Sequence, residues 1–205
     1  MKQTDFSLRP FADDSPGSNA GITPSGEECR RMWSRWEMPE HIQEHSLLVT
    51  RVALEIAEMT KEQLMPGLDL HQVRAAGLLH DLAKIYTIRH GGSHSQIGAA
   101  WIQEQTGNVA VARAVLHHVH WPFPMDLYRY PVSLIICYSD KRVRHTEIVT
   151  LEERFVDLQE RYGVSDMARH HIQHSLKQGQ AIERLLGDEL KVNFNAHSFD
   201  CRRLV

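Results

Sequence analysis

His80-Asp81 sits inside an apolar helical stretch, Ala75-Ala76-Gly77-Leu78-Leu79-His80-Asp81-Leu82-Ala83-Lys84. Burying a polar group without a partner costs roughly 2–7 kcal/mol, and an unpaired charge costs more. A divalent metal compensates for both, because it takes neutral imidazole and ionised carboxylate together. The rest of the chain supplies partners in order: His45, His94, His118 and Asp140. Four His and two Asp would hold one or two such ions. Bound metals act as Lewis acids on a phosphoryl oxygen, and they lower the pKa of a bound water to give a hydroxide nucleophile near neutral pH. Asp81 suits a bridging position, because a carboxylate offers two oxygens where imidazole offers one lone pair.

Helical spacing turns each of these residues inward. His45 begins the stripe continued by Val49, Val52 and Ile56. His80 follows Val73 and Ala76-Gly77, and Lys84 shares its side four residues on. His94 precedes Ile97-Gly98 and Trp101; His118 follows Val111 and Val115; Asp140 follows Ile136 and Cys137. Ligands spread over facing helices are how helical bundles build metal sites. Lys84 is a candidate for a phosphate oxygen or the leaving group. Arg144, four residues past Asp140, is a candidate phosphate clamp if its helix continues.

The elements that must position these residues are helical. Residues 1–24 are polar, contain Pro10, Pro16, Gly17, Gly21 and Pro24, and read as a mobile arm or a tether laid over the body. Residues 25–205 read as one helical domain. Ser25 and Glu28 have capping-box spacing for a helix over Ser25–Glu37. Further helices are expected over about Pro39–Lys61 and Asp69–Ala83, with a loop at Tyr86–Gly92. Another starts near Ser93 and breaks at Gly107-Asn108, followed by Asn108–Val119 and Pro131–Arg144. A final pair, Leu151–Tyr162 and Ser165–Leu186, joins at Gly163. No run alternates with period two, so strands are not expected. The pattern is that of a compact all-α bundle.

The 205 residues suffice for one domain with a core. A net charge of −3 gives no electrostatic case for nucleic acid or a membrane surface. Three widely spaced cysteines, Cys29, Cys137 and Cys201, argue against a disulfide framework and fit a reducing, cytoplasmic setting. The apolar run Val132–Tyr138 is too short to cross a bilayer. Fourteen His are the compositional outlier. His170, His171 and His174 have no inward carboxylate near them and are expected on a solvated face.

The segments Glu44-His45-Ser46, Leu78-Leu79-His80-Asp81-Leu82-Ala83-Lys84, His94-Ser95-Gln96-Ile97-Gly98-Ala99, Ala114-Val115-Leu116-His117-His118 and Tyr138-Ser139-Asp140-Lys141-Arg142 together resemble the HD-domain metal-dependent phosphohydrolase superfamily. The resemblance covers about residues 39–145, leaving helices over about 150–187 unmatched. It implies an all-α, HD-domain-like bundle. It implies a first metal at His45, His80, Asp81 and Asp140, and a second at His94 and His118 with Asp81 bridging. His118 fits the pattern better than His117, and Lys84 recurs in the family near the phosphate. No Gly-Tyr-Pro follows His117-His118, which argues against the cyclic-di-GMP phosphodiesterase subgroup. The spacing is similar to that of small dinuclear members such as the symmetrical diadenosine tetraphosphate hydrolases.

The expected activity is therefore hydrolysis of a nucleotide or other small phosphate ester or anhydride by metal-activated water. Asp81 and Lys84 are the catalytic candidates, and Lys84 and Arg144 the substrate-binding ones. Mixed His and carboxylate ligation suits Fe, Mn, Co, Ni or Zn. The expected partner is a small phosphorylated substrate, with no nucleic acid and no membrane. Two rival readings are a di-iron oxygenase on the same ligand set and a non-catalytic metal-binding sensor module.

Overall fold

The computed structural model describes residues 21–194 and Phe199. The arm read over residues 1–24 lies outside the described residues as far as residue 20, as does Cys201. The last residues of that arm lie against the body: the Ile22 backbone amide donates to the Thr106 carbonyl, and Asn108 Nδ2 donates to Thr23 Oγ1.

The order is α1 (Gly26–Arg35), α2 (Glu40–Gln63), α3 (Leu70–Leu79), α4 (Lys84–His90), α5 (His94–Thr106), α6 (Val109–His117) and α7 (Pro131–Lys141), then β1 (Val143–Arg144), β2 (Glu147–Ile148), α8 (Leu151–Tyr162) and α9 (Asp166–Leu190). The fold is all-α, with one two-residue antiparallel hairpin that pairs Val143 with Ile148 and Arg144 with Glu147. That hairpin corrects the expectation of no strands. Its four strand residues are too few to leave a visible alternation.

Local chemistry sets most helix starts. Ser25 and Glu28 form the capping box of α1, and Thr150 and Glu153 form that of α8. Asp69, Asn108 and Ser165 cap α3, α6 and α9 with their side chains. Gly107 closes α5 at φ 65°, a left-handed position that glycine adopts without penalty.

The centre of the bundle is α2 packed on α3 and α7, with α6 against α3, α5 and α7. The α8–α9 pair attaches through α9 to α7. Val132 to Tyr138 of α7 are all buried, including Cys137. The α2–α3 contact is close because Gly77 faces Thr50. A Cβ at Gly77 would stand 2.6 Å from Thr50 Oγ1 and 2.9 Å from Thr50 Cα. The second contact is backbone, so a side-chain rotation cannot relieve it. Gly77→Ala gains about 1 kcal/mol of helix propensity but overpacks the interface by roughly 1–3 kcal/mol. We expect a net loss and a melting temperature lower by several degrees. An unchanged or raised melting temperature would contradict this packing.

Two expected helix ends shift for one identifiable reason, and one expected loop is helical. α3 stops at Leu79 instead of Ala83, because His80 Nδ1 donates to the Gly77 carbonyl, 2.8 Å away and three residues back. α6 stops at His117 instead of Val119 by the same device, with His118 Nδ1 2.7 Å from the Val115 carbonyl. Each imidazole thus satisfies a carbonyl left over at a helix C-terminus. The chain then turns through Asp81 and restarts as α4, where a loop was expected. None of the α4 residues is buried, so no apolar stripe announced it.

Candidate metal centre

Three helices and two turns bring the six His and Asp to one place. His45 comes from the second turn of α2, and His80 and Asp81 from the turn after α3. His94 opens α5, His118 follows α6, and Asp140 lies in the last turn of α7. His45, His80, Asp81 and His118 are buried, and the Asp140 side chain is 19% exposed.

Asp81 divides its oxygens between two groups. Its Oδ2 lies 3.6 Å from His80 Nε2 and 4.0 Å from His45 Nε2. Asp140 Oδ1 completes that side, 3.1 Å from His45 Nε2 and 3.6 Å from His80 Nε2. Asp81 Oδ1 faces the other way, 3.3 Å from His94 Nε2 and 3.8 Å from His118 Nε2. Ligand atoms about 2.0–2.2 Å from one ion stand roughly 3–4 Å from each other, so both groups have the span of a coordination shell. His45, His80 and Asp81 would hold one metal, and Asp81, His94 and His118 another.

The chemistry of the donors fits metal ions on two further counts. His80 Nε2 is fully buried and has no hydrogen-bond partner, with two carboxylate oxygens just out of reach. His94 Nε2 and His118 Nε2 face each other at 3.1 Å. Two ring nitrogens converging on one carboxylate oxygen is the arrangement a shared cation satisfies.

The main chain fixes how the rings present themselves. A carbonyl only accepts, so each ring nitrogen touching one must carry the proton. His80 and His118 give Nδ1–H to the carbonyls of Gly77 and Val115. His45 Nδ1 gives its proton to the His145 carbonyl at 3.1 Å. All three therefore present Nε2 to the cluster, the outer-shell arrangement usual for metal-ligating histidine. His145 occupies the hairpin turn at φ 54°, and that left-handed conformation aims its carbonyl at His45. Nothing in the local sequence marks His145 for this role.

Buried cations hold the frame. Lys141 Nζ donates to the His118 carbonyl at 2.9 Å and the Cys137 carbonyl at 3.3 Å, tying the end of α6 to α7. Arg142 donates to the carbonyls of Val149 (2.7 Å) and Phe194 (2.8 Å). Arg144 departs from expectation. α7 ends at Lys141, so Arg144 lies in β1, off the helical face of Asp140, and pairs with Glu147 at 2.9 Å. Lys84, the first residue of α4, sets its Nζ 2.6 Å from Asp81 Oδ2. His117 points elsewhere, packing edge-on against Trp121 and Phe123. His170, His171 and His174 are exposed.

Protonation follows from burial and charge. Burial disfavours the ionised form of Asp81, but the charges of His80 and Lys84 outweigh it and hold the carboxyl well below its usual range. Asp140 is held well below its usual range by the His45 and His80 rings beside it, which outweigh its burial. Burial pushes His118 down to about 3 and His117 down to about 4. His80 is buried too, yet the Asp81 and Asp140 charges raise its pKa.

A pH dependence follows for chelator-treated protein. His117 and His118 stay neutral when folded but take protons when unfolded below about 6.5, so their contribution to stability is lost as pH falls through that value. For His118 alone the loss between pH 6.5 and 5 is at most about 2 kcal/mol. His80 acts in the opposite sense, but burial also lowers His94, so one ring stands against three. The carboxylates matter only below about pH 4. We expect a melting temperature several degrees lower at pH 5 than at pH 7. An equal or higher value at pH 5 would refute the burial of neutral imidazole.

The HD domain family matches residues 42–163. The chain belongs to the HD domain family. Ribonuclease Y of Aquifex aeolicus is 36% identical to this HD protein over 95 residues, 46% of the chain and 16% of the relative. Ribonuclease Y of Opitutus terrae is 30% identical over 108 residues, 53% of the chain and 20% of the relative. The HD protein thus spans a fifth or less of the length of these relatives. A crystal structure of a predicted HD superfamily hydrolase from an uncultured Thermotogales bacterium is similar at a TM-score of 0.44 and 20% identity, covering 78% of this chain and 88% of that one. No described helix of the HD protein is long and apolar enough to cross a membrane.

The matched region runs past the motifs into α8, and α8 faces the cluster. A cavity of about 360 Å³ opens beside His45, Asp81 and Lys84. Its far wall is Arg154, Leu158, Arg161 and Tyr162 of α8. Sequence reading missed these residues. Their i, i+4, i+7 spacing marks one helix face, but nothing in it says which neighbour that face meets.

Proposed function

We propose that this protein is a metal-dependent phosphohydrolase that cleaves a small phosphate ester or anhydride of the nucleotide class. The observation that carries the reading is the unpartnered Nε2 of fully buried His80, facing two carboxylates inside a cluster of four imidazoles. In it, His45, His80, Asp81 and Asp140 would hold one divalent transition metal, and Asp81, His94 and His118 would hold a second. When bound, such ions supply Lewis acidity toward a phosphoryl oxygen and activate water.

The chain's own residues do the rest. Asp81 stays ionised at working pH and turns one oxygen toward each group of imidazoles. The carbonyls of Gly77, Val115 and His145 keep the three rings turned inward. Lys84 stands at the cavity edge with its proton retained, because the Asp81 and Asp140 charges outweigh the burial that would lower its pKa. There it neutralises charge on the substrate phosphate. The cavity is within the size range of small-ligand sites.

A small substrate is favoured over RNA, although the relatives are named ribonucleases, because the net charge of −3 supplies no field for a polyanion. The buried free thiols of Cys29 and Cys137 suit a reducing cytoplasm. The test is elemental analysis of protein purified without chelator, followed by phosphate release from nucleotides, sugar phosphates and a short oligoribonucleotide, with oxygen uptake measured in parallel. Stoichiometric metal and release from small phosphates are expected. Oxygen consumption with no phosphate ester cleaved would install the oxygenase reading. Bound metal with no turnover of any kind would install the sensor reading.

A further inference from the structure

The reading above places one phosphate at the His/Asp cluster and leaves the opposite wall of the cavity without a task. That wall is basic. Lys84, Arg154 and Arg161 line the cavity, and the one carboxylate among the lining residues, Asp81, is engaged by the cluster. The Arg154 side chain is 14% exposed and shares Asp157 Oδ2 with Arg161, at 3.3 and 3.5 Å. Two guanidinium groups on one carboxylate leave an excess of positive charge on this wall. Arg161 Nη1 also lies 3.2 Å from His145 Nε2. His145 is the residue whose carbonyl orients His45, so the basic wall and the cluster are joined through one turn. Arg154 is near enough to Lys84 for its charge to oppose the lysine's proton.

Cations gathered at a half-buried wall repel one another, and an anionic ligand relieves that repulsion. The guanidinium fork matches phosphate oxygens in pairs, which a lysine cannot do. Arg144, the arginine that the sequence suggested, is outside the lining and pairs with Glu147.

Resting on the phosphohydrolase reading, we propose that Arg154 and Arg161 bind a second phosphate of the substrate, next to the one at the cluster. The substrate class is then one with two or more phosphates in series, rather than a monoester. The apolar residues Ile42, Ile88, Leu158 and Tyr162 around the same cavity leave room for an organic group beyond that chain.

The test compares inorganic pyrophosphate with orthophosphate by calorimetry, on the full chain carrying the metal with which it is purified. Variants Arg154→Ala, Arg161→Ala and Arg144→Ala are measured alongside, with melting temperature and metal content recorded. Arg161 is half-exposed, so its variant should fold even if Arg154→Ala does not. Wild type should bind pyrophosphate at least about tenfold more tightly than orthophosphate. Arg161→Ala and Arg154→Ala should each weaken pyrophosphate about tenfold or more, a typical loss for a charge-assisted contact. Orthophosphate binding and metal content should stay as in wild type, and Arg144→Ala should change nothing. Equal affinity for the two anions in wild type, unaltered pyrophosphate binding in both variants, or a parallel fall in orthophosphate binding would each overturn the subsite. Phosphate release from monoesters would survive those results. Oxygen uptake without phosphate release would instead remove the parent reading.

Discussion

Asp81→Asn should strip the protein of most of its metal and lower phosphate release by more than about 10³-fold. Among the described residues, Asp81 belongs to both groups that would hold an ion, with Oδ2 on the His45–His80 side and Oδ1 on the His94–His118 side. Asparagine keeps the shape but loses the charge and one oxygen. A neutral amide competes poorly for a divalent cation, so both positions weaken together. The expected loss exceeds the 10–100-fold typical when only an outer-shell partner of a metal ligand is removed. Asp140→Asn makes the informative comparison, because Asp140 touches one side alone. It should remove about one ion of two, and elemental analysis reads the difference directly. If Asp81→Asn retains both metal content and rate, the cluster is not the metal site.

Lys84→Ala should leave metal content unchanged and lower kcat/KM by about 10²–10³-fold, the loss seen when a positioned donor to developing charge is removed. Lys84 Nζ contacts Asp81 Oδ2 at 2.6 Å, and its side chain is 39% exposed. It therefore reaches both the cluster and the cavity, unlike Lys141, which is buried against main-chain carbonyls. Lys84→Arg should restore part of the rate, since it keeps the charge with altered geometry. Two measurements decide the role. Falling metal content with falling rate would make Lys84 a support for Asp81. Unchanged kinetics at full metal content would remove it from the reaction.

The convergence of the six His and Asp was legible because each lies in, or directly continues, the apolar stripe of a helix, and a stripe is a property of local spacing. The capping box at Ser25 and Glu28 was legible from residue type and spacing alone. Helix ends were not. α3 and α6 stop where His80 and His118 take a carbonyl three residues back. A neutral imidazole makes that bond only when its other nitrogen has somewhere to point, which depends on the whole cluster. Arg144 was misplaced because a helical phase was carried past Lys141, where α7 ends. Arg154 and Arg161 went unseen because only the tertiary attachment of α8 and α9 brings them to the cavity. The short α4 went unseen because it buries nothing.

Three rings tied to main-chain carbonyls have a consequence for which element the protein carries. A cluster whose nitrogens are already turned inward would admit a cation without refolding, and its mixed imidazole and carboxylate donors do not by type single out one first-row ion. Affinity among first-row ions at such nitrogen and oxygen donors then follows the Irving–Williams order, with copper above zinc and both above iron and manganese. On the metal-dependent reading proposed above, supply at the time of synthesis would then weigh heavily in which ion the protein holds. Batches grown on different trace-metal regimes should carry different ions on the same scaffold, and their specific activities become comparable only after stripping and reloading with one defined ion.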